Sequence, residues 1–303
     1  MDRHLILKDK HVRTMRQLIR FFVLGLIAGT AGQALAGQLN YEATLEDSSW
    51  ETSSSPLRCT LKHPVKFFGQ AEFYQLAGYR QKFRFFINQS PVRKGKVTLV
   101  SMPPEWKHNR KSRNLGKYSY RRGETPFRFN RKLSLRLLSE LEQGMRPVFK
   151  FKDWGDGHDD VSAVLSTVRF RDALAKFRVC VGQIIPYDYN KVKKSMLYFN
   201  SGRYKLTVKA KRKLEGMIAY LIRDHSVKKV YVAGHTDNVG THTDNNELSE
   251  RRALAVRDYL ISRKVPISKL NVKYFGKRKP ARGNSTAKGR AKNRRVRVEL
   301  ERE

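Results

Sequence analysis

The chain is 303 residues long, 40% hydrophobic, and carries 63 Lys and Arg against 27 Asp and Glu, a formal net charge of +36. That length is enough for two domains with separate cores. So basic a balance implies affinity for polyanions, but no nucleic-acid-binding motif accompanies it, and charge alone identifies no partner.

The N-terminus places Arg13, Arg16 and Arg20 before an apolar run, Phe21-Phe22-Val23-Leu24-Gly25-Leu26-Ile27-Ala28, which gives way to small residues. Ala34-Leu35-Ala36 fits an A-x-A cleavage site, so residues 1–36 are expected to be a secretory signal peptide removed before Gly37. The alternative is an N-terminal membrane anchor, but the run falls short of the roughly 20 residues a span needs. No cysteine lies beside the cleavage site to carry a lipid, and no later stretch is apolar enough to cross a membrane. The mature protein is therefore expected to be exported, and peripheral to a membrane at most. Outside the cytoplasm nucleic acid is scarce; lipopolysaccharide phosphates, anionic lipids and acidic proteins are the available counter-charges. The two cysteines, Cys59 and Cys180, both follow the signal peptide, and an even count in an exported chain favours a disulfide over two buried thiols. They lie far apart with no histidine cluster between them, which argues against a metal site.

Residues 37–185 read as mainly β. Phe83–Ile87, Lys96–Val100 and Val148–Phe151 are short runs rich in β-branched and aromatic residues, separated by Pro91, Gly95, Pro103, Pro104 and Gly123. One helix is predicted at Leu133–Glu142, with Leu135, Leu138 and Leu141 at three-residue steps and Gly144 ending it. Residues 186–195, beginning Pro186-Tyr187-Asp188-Tyr189-Asn190, are expected to be a linker. In 196–303 the rhythm changes to strands alternating with helices. Strands are predicted at Met196–Phe199, Lys229–Ala233, Leu270–Phe275 and Arg295–Leu300. Helices are predicted near Val208–Asp224, with Leu214, Met217, Ile218, Leu221 and Ile222 on one face, and near Ser249–Arg263. The expected fold class is α+β in two domains, the first mainly antiparallel β and the second a β-α-β-α-β-β sandwich with helices on one face of the sheet.

The segment Gly234-His235-Thr236-Asp237-Asn238-Val239-Gly240 places an acid in a glycine-bounded turn after a strand. Arg252 follows in Leu248-Ser249-Glu250-Arg251-Arg252-Ala253, in what reads as the first turns of a helix. A carboxylate facing a guanidinium suits a ligand that carries an ammonium and a carboxylate on one short arm. A helix start nearby would add free N–H groups favouring the ligand carboxylate. Spacing alone favours a salt bridge that only fixes the turn. With Asn293-Arg294-Arg295-Val296, these blocks resemble, in order and spacing, the OmpA-like peptidoglycan-binding domain over residues 196–303. The resemblance implies that Asp237 and Arg252 hold the diaminopimelate arm of the wall peptide, with Asn245 and Leu248 beside it and Arg294 at the rim. Thr236 and Asn245 also suit helix or turn capping. His235 and His242 have no third ligand near them, so no metal or other cofactor is expected. Asp153-Trp154-Gly155-Asp156-Gly157-His158-Asp159-Asp160 lacks EF-hand spacing and reads as an exposed turn. Lys277 to Arg290 reads as a solvated loop. The chain holds no G-x-S-x-G, no H-E-x-x-H and no cysteine with a partner base, so no catalysis is expected.

The first half carries a second resemblance. Cys59-Thr60-Leu61-Lys62-His63-Pro64, Phe68-Gly69-Gln70-Ala71, Ser101-Met102-Pro103-Pro104-Glu105-Trp106, Leu138–Gly144 and Asp153-Trp154 resemble the N-terminal domain of the MotY family of sodium-type flagellar motors. That implies a structural protein in the periplasmic T ring, assembled with a MotX-like partner on the flagellar basal body. Its C-terminal domain would grip peptidoglycan and help fix the stator complex. It also implies a disulfide in the N-terminal domain, consistent with Cys59 and Cys180. A general envelope tether without a motor role, or a binder of polyanions through charge alone, is the alternative reading.

Overall fold

The computed structural model describes residues 37–107 and 109–303, so the expected signal peptide, residues 1–36, lies outside the described residues. In chain order the first part comprises β1 (Gln38–Tyr41), β2 (Glu51–Ser54), β3 (Arg58–Val65), β4 (Gly69–Leu76), β5 (Lys82–Ile87), β6 (Gly95–Met102), β7 (Arg113–Tyr120) and β8 (Phe127–Phe129). Then come α1 (Arg131–Glu142), β9 (Arg146–Lys152), β10 (Asp160–Val164) and α2 (Phe170–Gln183). They form two five-stranded sheets, ordered β1-β10-β9-β6-β7 and β2-β3-β4-β5-β8. Their pairings are antiparallel except β1 with β10, which is parallel.

Period-two alternation sends Phe83, Phe85 and Ile87 of β5 inward. The rings of Phe83 and Phe85 lie 5.7 and 5.2 Å from that of Phe149 on β9, so the two sheets meet through an aromatic core. Helix α1 starts where the Asn130 side chain accepts from Leu133 N–H, and Gly144 (φ 73°) turns the chain away after it. Its buried stripe is Leu133, Leu137, Leu138 and Leu141; Leu135, expected to be inward, is exposed.

Helix α2 is not among the elements expected from the sequence. Its apolar residues Phe170, Leu174 and Phe177 recur at helical spacing and are buried. Its start gives no capping signal, because Arg169 sits in the left-handed region (φ 57°) and makes no side-chain cap. Helix α2 carries Cys180 to Cys59 on β3, and the two are joined in a disulfide with Cα atoms 5.9 Å apart.

The second part comprises α3 (Tyr189–Val192), β11 (Lys194–Tyr198), α4 (Val208–Leu221), β12 (Val227–His235) and α5 (His242–Ser262), followed by β13 (Leu270–Tyr274), α6 (Ala287–Asn293) and β14 (Arg295–Arg302). Residues 186–195 thus hold α3 and the start of β11. The sheet runs β11-β14-β12-β13, with only β12–β13 parallel. Leu214, Met217 and Leu221 of α4 and Ala253, Val256 and Leu260 of α5 pack with Val230, Val232, Val296 and Val298 of the sheet. The β-α-β-α-β-β order is the one expected, with α6 added between the last two strands. Ile222, expected on the apolar face of α4, lies past its end and is 47% exposed. Among the described residues no helix is long and apolar enough to cross a membrane.

Candidate functional site

β12 is the strand between β14 and β13, and it continues through Gly234 and His235. A Cβ on Gly234 would stand 2.1 Å from the backbone oxygen of Ser249, so only glycine lets α5 seat against the strand here. The chain beyond is pinned from the neighbouring turn: Phe275 N–H donates to Gly234 O (3.0 Å), Thr236 N–H to Gly276 O (3.0 Å) and Gly276 N–H to Ser249 Oγ (2.9 Å). Thr236 and Asp237 are thereby fixed and buried at the end of the strand.

Helix α5 starts earlier than expected, and this moves Arg252. Thr241 is the N-cap, accepting from Asp244 N–H at 3.1 Å and donating to Asp244 Oδ2 at 2.6 Å. Arg252 is the eleventh helical residue rather than a member of the first turns. At 1.5 Å per residue it stands about 15 Å along the axis from the helix start. The free amides and positive end of the helix therefore do not act at Arg252. Asn245 is not the cap either. Buried in the first turns, it donates through Nδ2 to Val239 O (3.0 Å) and Thr241 O (2.8 Å), holding the loop that carries Gly240 at φ 90°.

The expected Asp237–Arg252 ion pair is replaced by another. Asp237 Oδ2 accepts from Arg294 Nη1 at 2.9 Å, and Arg294 also donates through Nε to Phe199 O at 3.2 Å. Arg252, fully buried, donates through Nε to Arg203 O (2.9 Å), through Nη1 to His235 O (3.1 Å) and through Nη2 to Asn200 O (3.1 Å). Three of its five N–H groups are thus taken by backbone carbonyls. Burial lowers the Arg252 pKa to about 10; nearby Asp237 raises it and Arg294 lowers it. It remains a cation at neutral pH. Leu248, half-buried, lies one helical turn before Arg252 on the same face.

Two buried polar atoms beside this cluster have no hydrogen-bond partner: Thr236 Oγ1 and His235 Nδ1. The His235 ring stacks on Phe275 at 5.3 Å, and burial together with Arg295, Arg297 and Lys279 lowers its pKa to about 4. His242 instead contacts Asn246 Nδ2 through Nδ1 at 3.0 Å. Thr236 caps no helix, and Asp237 Oδ1 receives only a long contact, 3.4 Å, from Val239 N–H. The cluster therefore holds two guanidiniums against one carboxylate, with a buried hydroxyl that has no partner and a carboxylate oxygen that has only a long one.

The stretch read as a solvated loop is partly helical, since Thr286 accepts from Gly289 N–H to start α6. Fully buried Asn293 organises the rest: Oδ1 accepts from Ala281 N–H (2.7 Å) and Arg282 N–H (3.0 Å), and Nδ2 donates to Arg282 O (2.7 Å) and Asn284 Oδ1 (2.8 Å). Asn293 precedes Arg294, so the same contacts that order the loop deliver Arg294 to Asp237. From 259 to 298 the chain has 14 Lys and Arg and no Asp or Glu. The Asp153–Asp160 segment is a turn exposed at residues 155–158, closed by Asp153 Oδ2 accepting from Gly155 N–H and Asp156 Oδ1 from His158 N–H, while Trp154 stacks on Phe151 at 4.8 Å. A groove of about 400 Å³ lined by Tyr231, Lys273, Arg297 and Glu301 lies on the sheet and includes neither Asp237 nor Arg252.

Two family models match successive parts of the chain. Residues 41–186 match the MotY N-terminal domain, and residues 198–294 match the OmpA family. The chain is 31% identical over 270 residues to the sodium-type flagellar protein MotY of Vibrio parahaemolyticus, covering 86% of this chain and 89% of that one. It is 44% identical over 87 residues to outer membrane porin F of Pseudomonas aeruginosa, covering 28% of this chain and 25% of the porin. The peptidoglycan-associated lipoprotein of Burkholderia pseudomallei is 26% identical with a TM-score of 0.34, over 35% of this chain and 89% of that one.

Proposed function

Because this chain belongs to the MotY family, whose two-part organisation it carries, we propose that it is a non-enzymatic structural protein of the flagellar motor that grips the cell wall through its C-terminal domain. Export by removal of residues 1–36 would place it in the periplasm. There the N-terminal β domain would assemble with a MotX-like partner and the basal body as part of the T ring, and residues 196–303 would fasten that ring and the stator to peptidoglycan.

The observation that carries the wall-binding reading is the cluster of Asp237, Arg252 and the partnerless Thr236 hydroxyl, all buried at one strand end. The ligand is the diaminopimelate arm of the stem peptide. Its ammonium is taken by Asp237 Oδ1, the oxygen that Arg294 leaves open, and its carboxylate by the two N–H groups of Arg252 not held by carbonyls. The backbone grip on Arg252 means that its orientation is set before the ligand arrives, which lowers the entropic cost of binding. Thr236 Oγ1 gains a partner, Asn245 holds the loop over the site, Leu248 lines it and Arg294 closes the rim.

Co-sedimentation of the mature protein with diaminopimelate-type peptidoglycan tests this reading. Wild type should pellet; Asp237→Ala and Arg252→Lys, each checked for folding by circular dichroism, should stay in solution. Equal pelleting of all three, released by salt, would instead mean binding by charge alone. Loss of swimming with an intact filament after gene deletion separates a motor protein from a general envelope tether.

A further inference from the structure

We propose that hydrolysis of the Ala36–Gly37 bond creates a terminal ammonium on Gly37 that pairs with Asp159, so that maturation itself completes the edge of the first sheet. The inference rests on the export reading above. Its geometry is already present at residue 37: Gly37 N lies 2.7 Å from Asp159 Oδ1, and Gly37 O accepts from Asp160 N–H at 2.9 Å. Residue 37 is therefore held on both sides, by Asp159 and by Asp160, the first residue of β10. In the uncut chain that nitrogen is a neutral amide. When water adds across the bond, the hydroxyl goes to the Ala36 carbonyl carbon and the proton to nitrogen. At neutral pH Ala36 then ends as a carboxylate and Gly37 begins as an ammonium. The same 2.7 Å contact, charged only on the Asp159 side before cleavage, then becomes an ion pair charged on both sides.

Three features fit this role. β1 is a four-residue edge strand with three exposed residues, paired to β10 alone, so little apolar burial holds its free end. A Cβ on residue 37 would come within 2.8 Å of Asp159 Oδ1, so glycine at the new terminus lets the carboxylate approach without shifting. The surroundings favour a cation: Asp153, Asp156, Asp159 and Asp160 cluster in this turn. Against them stand Lys152, which pairs with Asp160 (3.0 Å), and His158, which contacts Asp156 (3.2 Å). The acid-dense Asp153–Asp160 turn, which contributes nothing to the wall-binding cluster, thus acquires a function as the seat of the processed N-terminus.

The test begins with the intact mass of protein recovered from the cell envelope, which reads whether Gly37 is the first residue. The pairing is tested separately, on full mature chain made with Gly37 first by protease release from a fusion. Its α-amine is labelled by reductive ¹³C-methylation and titrated by NMR. The amine should titrate about one pH unit above the usual α-amino range of about 7.7–8.0. Asp159→Asn, which keeps an acceptor oxygen but removes the charge, should return it to that range, while Asp160→Asn should move it far less. An α-amine with the same pKa in wild type and Asp159→Asn overturns the pairing even if the envelope protein begins at Gly37. A different first residue in the envelope protein, with the Asp159-dependent shift intact in the released chain, overturns the processing step alone.

Discussion

Asp237 and Arg294, 57 positions apart in sequence, form an ion pair at 2.9 Å with side chains only 8% and 19% exposed. Arg252, the partner that sequence spacing suggests, turns its guanidinium to three backbone carbonyls instead. The two arginines thus divide the work: Arg294 neutralises and orients the acid, while Arg252 ties β12 to the segment after β11.

Removing Arg294 leaves Asp237 buried without its cation. Arg294→Ala is expected to lower unfolding stability by about 1–3 kcal/mol, the cost of an unpaired buried charge tempered by partial exposure. Arg294→Lys should restore part of it, because a lysine supplies charge but not the fork that also reaches Phe199 O. Urea unfolding of the three proteins checks this ordering.

Arg252→Ala empties a fully buried site, strands the buried carbonyl of His235 and removes the donor to the carbonyls of Asn200 and Arg203. A loss of about 2–4 kcal/mol is expected, larger than for Arg294→Ala. Arg252→Lys should fall between wild type and alanine in urea melts while binding wall material no better than alanine does. Lysine-level stability combined with wild-type binding would show that Arg252 is structural only.

These positions also show what was legible in sequence. Asp237, Arg252 and Arg294 stand in recognisable blocks, and the structure brings all three to one strand end. Their partners were not legible, because two of the groups that hold Arg252 are backbone carbonyls of Asn200 and Arg203, about fifty positions away, and carbonyls leave no mark on residue type. The start of α5 was placed too late because residues 242–247, His-Thr-Asp-Asn-Asn-Glu, carry no apolar stripe, and its real signal was the Thr241–Asp244 cap. Helix α2 was missed because Arg169 offers no capping side chain. Strands β5 and β6 were legible because period two is written directly in them.

Acid should weaken the N-terminal domain through His63. It is fully buried, with Nδ1 2.8 Å from Ser49 O and Nε2 accepting from Ser166 N–H at 3.2 Å, so the neutral ring has both nitrogens satisfied. Burial lowers its pKa from 6.5 to about 4, the bond to Ser49 opposing the shift. The unfolded chain therefore binds the proton more readily. The stabilisation is fully present above pH 6.5 and lost as pH falls toward 4, amounting to about 3 kcal/mol. The His63 ring stacks on Trp50 at 4.6 Å, so tryptophan fluorescence can follow unfolding against pH. His63→Gln should flatten the slope between those two pH values.

The Cys59–Cys180 bond closes a loop with a sequence separation of 121 and ties β3 to α2. The chain-entropy model gives about 4–5 kcal/mol for a loop of this length, an upper bound. A Cys59→Ser, Cys180→Ser double variant should therefore melt well below wild type in the N-terminal domain. Dithiothreitol should lower the melting temperature of wild type but leave that of the double variant unchanged.

Wall binding should depend on salt through the acid-free stretch 259–298, which flanks the cluster and supplies Arg294 to it. Lys277, Arg278 and Lys279 follow the turn that pins Thr236, and none forms a salt bridge among the described residues. Exposed cations near a carboxylate-bearing polymer add long-range attraction that screening removes, whereas the buried Asp237 contact is screened far less. For three such contacts to a polymer less densely charged than DNA, wild-type affinity should fall by about tenfold between about 50 and 200 mM salt. Replacing Lys277, Arg278 and Lys279 together with serine should lower affinity at low salt and flatten that dependence. Asp237→Ala should keep the dependence while losing most of the affinity that survives at high salt. If the triple-serine variant instead retains the wild-type slope, the attraction comes from another part of this basic surface.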